Sequence, residues 1–181
     1  SELVSFLLER DYQVRVVDTL EYGPESLLRY AGYENFDFDL IDVRRLDLLE
    51  QYLNEADVVI PLACLVGFPL CDQRPREAVE VNFDVNKWIA ENKRPEQILI
   101  YPCTNSGYGV SKDGSVCTEE SPLNPVSLYG KTKVDAEKVF QETEGCCTLR
   151  LATVFGPSSR ARTDLLVNNF VLRAIKDRVL V

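Results

Sequence analysis

The sequence of 181 residues predicts an α/β fold, a doubly wound parallel sheet with helices on both faces. Segments with helical periodicity alternate with short apolar segments from one end of the chain to the other. Apolar residues make up 45% of the chain and charged residues 27%, with no repeat and no low-complexity linker, which is typical of one domain spanning residues 1–181. Strands joined by helices form right-handed crossovers, and such crossovers leave the strands parallel.

In the first half of the chain, three helices alternate with three strands. The helices follow from apolar residues at helical spacing, and the strands from β-branched or other apolar runs that end at polar residues. In chain order, these elements are predicted at residues 3–8, 13–17, 25–31, 38–43, 46–54 and 56–62.

The second half continues the alternation. A long amphipathic helix and a strand are followed by a loop rich in Gly, Ser and Pro, and then by a helix, a strand and a last helix. The helix after this loop is expected to begin at Pro125, because Asn124 suits a helix cap and Pro suits the first helical position. In chain order, the six segments are residues 76–92, 97–101, 103–124, 125–142, 147–154 and 164–176.

The charge balance argues against a nucleic-acid partner. Lys and Arg total 20 against 29 Asp and Glu, and no basic stretch is longer than the Arg44–Arg45 pair, so the positive surface that binds duplexes is missing. The longest apolar runs fall well short of the roughly 20 residues that a membrane span requires. With no basic-then-apolar leader at Ser1, a cytoplasmic protein without a membrane partner is expected.

The chain contains no histidine and six cysteines. The absence of histidine excludes Ser-His-Asp and Cys-His nucleophiles, so acid/base chemistry near neutral pH must use Tyr, Lys, Cys or carboxylates with shifted pKa values. The cysteines have irregular spacing and form no C-x-x-C pair, which favours reduced thiols and predicts no metal site.

Ligands of a doubly wound sheet bind outside the carboxyl ends of its strands. Asp18 closes one predicted strand, where its carboxylate can accept hydrogen bonds from both adenosine ribose hydroxyls, and an acid there favours NAD over NADP. The alternative is a helix cap or a solvated carboxylate. At the end of the next strand, Asp42 is a candidate to hydrogen-bond the adenine, with Val43 packing beside it.

Two tyrosines are followed by a lysine four residues later, a spacing that places phenol and ammonium on one helical face. The ammonium is expected to lower the pKa of the phenol toward neutrality and make it a base. Tyr108 and Lys112 run into an Asp-Gly turn, whereas Tyr129 and Lys133 lie in a predicted helix and are the better candidates. A surface tyrosine beside a solvated lysine is the alternative. Thr104, on the loop after the 97–101 strand, offers a hydroxyl to guide the proton.

A Rossmann unit opens with a strand and a Gly-rich turn before its first helix. This chain opens directly with the helix at 3–8, and it contains neither G-x-G-x-x-G nor G-x-x-G-x-x-G. The chain is therefore expected to be a fragment that lacks the first strand and the Gly-rich turn. The alternative is a protein that binds no dinucleotide.

Seven short blocks of sequence, found in order along the chain, together carry a specific family resemblance. With these blocks the chain resembles the central part of the extended short-chain dehydrogenase/reductase family, the NAD-dependent nucleotide-sugar epimerases and dehydratases. The blocks are residues 16–18, 42–43, 58–64, 81–83, 104–109, 124–133 and 150–157. The resemblance implies a Rossmann-like fold with NAD as cofactor, and a substrate-capping part that lies mainly beyond Val181.

The resemblance also implies residue roles. It assigns Asp18 to the adenosine ribose, and Asp42 and Val43 to the adenine. It assigns Lys133 to both Tyr129 and the nicotinamide ribose. The remaining cofactor and proton-transfer assignments are Leu62, Ala63 and Cys64 at the nicotinamide-side strand end, Asn82 in the packing beneath the cofactor, and Thr104 with Tyr129 in proton transfer.

For the substrate, the resemblance implies contacts from Thr104, Ser106, Thr153 and Asn168. Two departures from the family pattern matter. The family's 4,6-dehydratases follow the threonine with Asp-Glu, whereas this chain has Asn105-Ser106 and so lacks that acid and base. Many of its epimerases carry Asn at the position of Thr153, and the compensating residues near the diphosphate would be Asn168, Arg160 and Arg162, although solvated arginines are the default.

The expected function is an NAD-dependent nucleotide-sugar epimerase that works by Tyr-assisted hydride transfer through a keto sugar, on a nucleotide-diphosphate sugar. The alternatives are a reductase, dehydrogenase or dehydratase of the same family, or a non-catalytic binding module if the 181 residues are the complete polypeptide. Family members often pair through two long helices, here 76–92 and 125–142, so a homodimer is expected. The sequence identifies neither the sugar nor the nucleotide base.

Overall fold

A computed structural model describes residues 2–110 and 116–178. Its strands and helices alternate much as the periodicity predicts. In chain order the elements are α1 (Glu2–Leu8), β1 (Val14–Asp18), α2 (Glu25–Leu28), β2 (Phe36–Leu40), α3 (Leu46–Glu55), β3 (Val58–Val59), α4 (Phe68–Gln73), α5 (Pro75–Val79), a π-helical turn (Glu80–Asp84), α6 (Val85–Asn92), β4 (Ile98–Thr104), a 3-10 turn (Asn105–Tyr108), α7 (Leu128–Gln141), β5 (Cys146–Leu151) and α8 (Leu166–Lys176).

Every strand pair in the described part of the chain is parallel. Strand β1 pairs with β2, with Val14 opposite Phe36. A second sheet has the order β3-β4-β5, with Leu99 opposite Cys146 in the β4-β5 pair. The predicted parallel α/β class is confirmed, because each of these pairs is joined by a helical crossover.

The internal contacts divide the chain into two compact units. One is formed by the chain up to Asp42 together with the chain from Thr153 onward, and the other runs from Val43 to Ala152. In the first unit, α1 packs on the β1-β2 pair through Val4 and Leu8, which are buried together with Tyr30. A single domain over residues 1–181 stays a prediction.

The core of the second unit lies between β4 and the helices α3, α6 and α7. Leu99 and Tyr101 of β4 and Phe140 of α7 are completely buried. The rings of Tyr101 and Phe140 stack with centroids 4.5 Å apart and planes 11° from parallel. Burial of side chains of this size contributes about 1.5–3 kcal/mol each, so this layer fixes α7 against β4.

The predicted helix at 76–92 is interrupted by the π-helical turn at Glu80–Asp84. A π-helical turn holds one residue more than an α-helical turn, and such turns are frequent at functional sites. Here the turn contains Asn82, whose side chain is fully buried. The helical extent was predicted correctly, but the π-helical turn was not, because helical periodicity carries no signal for a single turn of this kind.

Several boundaries differ from the prediction. Helix α7 begins at Leu128, because Ser127 and not Asn124 is its cap, with Ser127 Oγ accepting a hydrogen bond from the Gly130 N–H at 3.1 Å. Strand β3 is only two residues long, since the chain pairs with β4 only at Val58 and Val59. Helix α4 was not predicted. Strand β2 ends at Leu40, so Asp42 lies in the loop beyond it.

None of the helices in the described residues is both long and apolar enough to cross a membrane. All six cysteines are free thiols.

Candidate active site

Strand β4 and helix α7 carry the three residues predicted to transfer protons. Thr104 is the last residue of β4, not part of the loop that was expected after residue 101, and it caps the 3-10 turn by accepting a hydrogen bond from the Ser106 N–H at 3.1 Å. Tyr129 lies in the first turn of α7, and Lys133 lies one turn later. The structure brings these three residues together in the second unit.

The Thr104 side chain lies near the Tyr129 phenol and lowers its pKa as a hydrogen-bonding group. Burial is the larger effect, and the pKa of Tyr129 rises to about 12. The prediction that the phenol's pKa falls toward neutrality is therefore wrong in direction. Burial and the nearby cysteines disfavour the charged phenolate more than Thr104 favours it.

The ammonium of Lys133 is buried, with only 4% of the residue exposed. Its Nζ lies 4.1 Å from the centroid of the Tyr101 ring, a cation-π contact. Burial lowers the pKa of Lys133, while electrostatic interactions with Cys64, Cys103 and Glu137 oppose that shift. Among the residues that the structure describes, no oxygen accepts a hydrogen bond from this ammonium. Its N–H donors are therefore open to a ligand.

Asn82 fixes the loop that follows β3. Its Oδ1 accepts a hydrogen bond from the Leu65 N–H at 2.9 Å, and its Nδ2 donates to the Leu65 carbonyl at 3.1 Å. The same Nδ2 donates to Thr132 Oγ1 at 3.4 Å, and that hydroxyl donates to the Tyr129 carbonyl at 3.1 Å. The side chain of Asn82 thus ties this loop to the turn of α7 that carries Tyr129, while its predicted place beneath the cofactor stays a prediction.

The three residues predicted at the nicotinamide side lie in the same loop. Leu62 is exposed, whereas Ala63 and Cys64 are half-buried. Ala63 packs in one apolar cluster with Tyr129 and Val43. Burial raises the pKa of the Cys64 thiol to about 11, so this cysteine is neutral at physiological pH. Ala63 and Val43 are therefore brought to Tyr129, while the cofactor roles of all these residues stay predictions.

Asp18 and Asp42 belong to the first unit and lie at the carboxyl ends of the neighbouring strands β1 and β2. The Ile41 N–H donates to the Asp18 carbonyl at 3.1 Å, which places the two ends side by side. Asp18 is exposed, and its Oδ1 accepts a hydrogen bond from the Leu20 N–H at 2.7 Å. Such a bond holds the carboxylate in a fixed orientation at the strand end.

The residues predicted to contact substrate differ in their exposure and hydrogen bonding. Ser106 is exposed in the 3-10 turn, and Thr153 is exposed after β5. Asn168 uses its side chain within the first unit, where Oδ1 accepts from the Gly156 N–H at 3.1 Å and Nδ2 donates to the Arg162 carbonyl at 3.0 Å.

The two arginines considered for the diphosphate both have partners in the first unit. Arg162 forms an ion pair with Asp164, with atoms 2.6 Å apart. Arg160 lies over the ring of Tyr22 at 3.8 Å. Of the second Tyr-Lys pair, Tyr108 lies in the 3-10 turn, although no helix was expected there, and Lys112 lies outside the described residues.

Sequence reasoning missed an ion pair beside the site. Arg150 of β5 donates from Nε to both carboxylate oxygens of Glu137, at 2.9 and 3.0 Å, and Glu137 is 1% exposed. One signal could have found it, because Glu137 follows Lys133 at the same spacing of four that separates Lys133 from Tyr129.

Comparisons with known proteins identify the family and the fold. The model of the NAD dependent epimerase/dehydratase family matches residues 1–179. The chain is 27% identical, over 99% of its length, to the low-salt glycan biosynthesis protein Agl12 of Haloferax volcanii. Two solved structures cover 97% of the chain: UDP-glucuronic acid 4-epimerase from Bacillus cereus in complex with NAD (TM-score 0.79, 26% identity) and dTDP-glucose 4,6-dehydratase from Bacillus anthracis strain Ames in complex with NAD (TM-score 0.81, 20% identity).

These relatives are longer proteins. The chain spans 60% of the Haloferax protein, 60% of the Bacillus cereus chain and 57% of the Bacillus anthracis chain.

Proposed function

The chain belongs to the NAD dependent epimerase/dehydratase family, and from that premise we propose that the full-length protein is an NAD-dependent nucleotide-sugar epimerase. The observation that carries the proposal is the Thr104 side chain beside the Tyr129 phenol, with the open ammonium of Lys133 one helical turn away. This arrangement suits removal of a proton from a sugar hydroxyl, with Tyr129 as the base and Thr104 bonded to the same oxygen.

Tyr129 must be ionised to act as a base. Its pKa of about 12 makes the phenolate rare at neutral pH, and lowering that pKa to about 7 requires about 7 kcal/mol of additional stabilisation of the phenolate. The ammonium of Lys133 is one source if it moves closer to the phenol, because the pKa of about 12 already holds with this ammonium over the Tyr101 ring. A cationic ligand bound beside the phenol is the other.

Residues of each unit, taken separately, suit one part of a dinucleotide. The open donors of Lys133 suit a ribose hydroxyl, and the Asp18 carboxylate, held by the Leu20 N–H, suits a second ribose. We propose Asp42 and Val43 for the adenine, and the loop that Asn82 fixes for the nicotinamide side. When bound, NAD⁺ supplies a positive ring that accepts a hydride and returns it.

We propose that the substrate is a nucleotide-diphosphate sugar, oxidised to a keto sugar that receives the hydride on its other face. Asn105 and Ser106 stand where the family's dehydratases are expected to carry an acid and a base, which favours epimerisation over loss of water. Thr104 and Ser106 are the proposed sugar contacts, and Thr153 and Asn168 are proposed near the diphosphate. The second candidate, a reductase, would release NADH into solution, whereas an epimerase would not.

The test replaces Tyr129. Tyr129→Phe keeps the ring but removes the ionisable oxygen, so epimerisation of a panel of UDP- and dTDP-sugars should fall by at least 10³-fold while NAD⁺ affinity at pH 7 changes no more than about twofold. Tyr12→Phe is the control, because it removes the hydroxyl of an exposed tyrosine that has no proposed role, and it should stay active. Full activity in Tyr129→Phe would exclude the proposed base.

We further propose a cytoplasmic homodimer that pairs through α5, α6 and α7. Light scattering of the full-length protein would test the dimer. An intact mass of 20.5 kDa would favour a non-catalytic binding module, since the chain contains no Gly-rich turn for a pyrophosphate.

A further inference from the structure

Helix α7 carries three ionisable side chains at intervals of four residues, Tyr129, Lys133 and Glu137. Residues four apart lie on one helical face. Lys133 and Glu137 are both buried, at 4% and 1% exposure. A buried ammonium and a buried carboxylate one turn apart are expected to form an ion pair, because each is costly to leave without a partner.

This ion pair does not form in the described part of the chain. The Lys133 ammonium lies over the Tyr101 ring, and Glu137 gives both of its oxygens to Arg150 Nε. Cys64 and Cys103 also face the ammonium, and both thiols are neutral at physiological pH because burial raises their pKa values to about 11. The charge of Glu137 is therefore the one that could neutralise Lys133.

Arg150 is held in place by more than Glu137. Its Nη1 donates to the Glu119 carbonyl at 2.8 Å and to the Tyr108 hydroxyl at 3.4 Å. Its hydrogen bonds to Tyr108 and Glu137 raise its pKa further, so it stays charged. A rigid, permanently charged guanidinium on β5 can thus fix a carboxylate on α7.

We propose that Arg150 is a positioning residue that keeps the Glu137 carboxylate away from Lys133, so that the ammonium stays available to Tyr129 and to a ligand. The separation of the Glu137 carboxylate from Lys133 does not depend on the proposed function. Only the use of the Lys133 ammonium in catalysis rests on that function. Without Arg150, Glu137 would be a buried charge with no partner, and Lys133, four residues before it, is the cation of α7 on the same helical face.

The test measures the pKa of Lys133 directly. In full-length protein labelled with ¹³C-lysine, the Cε resonance of Lys133, assigned from its loss in Lys133→Arg, is followed by NMR through a pH titration. Arg150→Met should raise this pKa by about 1 or more, because an opposite charge within a few ångströms favours the ammonium. Arg150→Lys keeps a cation beside Glu137 and should leave it unchanged.

The double variant Arg150→Met/Glu137→Gln separates this proposal from a structural role. It replaces the ion pair by a neutral pair, so the pKa of Lys133 should return to the wild-type value. NAD⁺ affinity, expected to fall at least tenfold in Arg150→Met, should recover with it. A structural role alone predicts that the double variant is no better than the single one.

The proposal is overturned if Arg150→Met leaves the pKa of Lys133 unchanged or if the double variant behaves like the single variant. If Arg150→Met fails to fold, as judged by thermal melting, Arg150→Gln replaces it. A smaller rise in the pKa of Lys133 is then expected, and the absence of any rise would overturn the proposal. Should the protein bind no NAD⁺, the proposed function fails, and the titration still decides the role of Arg150.

Discussion

The phenol of Tyr129 should couple NAD⁺ binding to pH. Burial raises its pKa to about 12, so in the free chain the phenol is protonated throughout the working range. A positively charged ligand favours the phenolate, and binding then releases a proton. The affinity for NAD⁺ should therefore increase as pH rises, over the range between the pKa of the complex and that of the free chain.

The size of the effect follows from these two pKa values. If the pKa falls from about 12 to about 7 in the complex, the affinity increases about 5-fold between pH 7 and pH 8 and about 9-fold between pH 8 and pH 9, or about 50-fold in all. Tyr129→Phe has no proton to release and should show no such increase. At pH 7 the two proteins should differ by about twofold.

Calorimetric titration with NAD⁺ between pH 7 and pH 9, in buffers of different ionisation enthalpy, gives both the affinity and the number of protons released. NADH, whose nicotinamide ring is neutral, is the control ligand and should show a flat profile. Cys64, with a pKa of about 11, is the competing source of protons, so Cys64→Ala should keep the wild-type slope.

If the NAD⁺ affinity of the wild-type protein does not change between pH 7 and pH 9, the reasoning is refuted, because the bound cofactor then leaves the phenol protonated. A slope that persists in Tyr129→Phe would refute it as well, because the proton would then come from another group.

Two stability predictions follow from buried contacts. Asn82→Ala leaves the Leu65 N–H unpaired, while the Leu65 carbonyl keeps the Cys71 thiol as a donor, and should cost about 1–3 kcal/mol in urea denaturation. A loss below about 0.5 kcal/mol would show that water replaces the lost bonds. Phe140→Ala removes a fully buried ring stacked on Tyr101 and should cost about 3–5 kcal/mol by the same measurement. Phe155 is exposed, so Phe155→Ala should change stability by less than about 0.5 kcal/mol. Equal losses in the two variants would contradict a core built on Phe140.

Much of the fold could be predicted because its causes are local. Strand β4 is an apolar run between polar segments, and the apolar residues of α7 recur at helical spacing. The start of α7 could not be predicted in this way, since Asn124 and Ser127 both satisfy the rules for a cap. Packing favours Ser127, because Gly130, which bonds to it, fits closely against Pro125.

For the site, the spacing of Tyr129 and Lys133 placed both residues on one helix, and the structure confirms that helix. The direction of the phenol's pKa was predicted wrongly, because it depends on burial by residues distant in sequence. The position of the ammonium likewise depends on Tyr101 of β4, and that of Glu137 on Arg150 of β5. Such contacts between elements leave no mark in the spacing of one helix.

The parallel pairing of the strands also determines the order in which the chain can fold during synthesis. Val14 meets its partner Phe36 early, but Leu99 must wait for Cys146, with the whole of α7 between them. Until then β4 has only the two-residue β3 beside it, and its other edge offers unpaired backbone groups along an apolar strand. The emerging polypeptide therefore passes through a stage prone to aggregation, which ends when β5 leaves the ribosome.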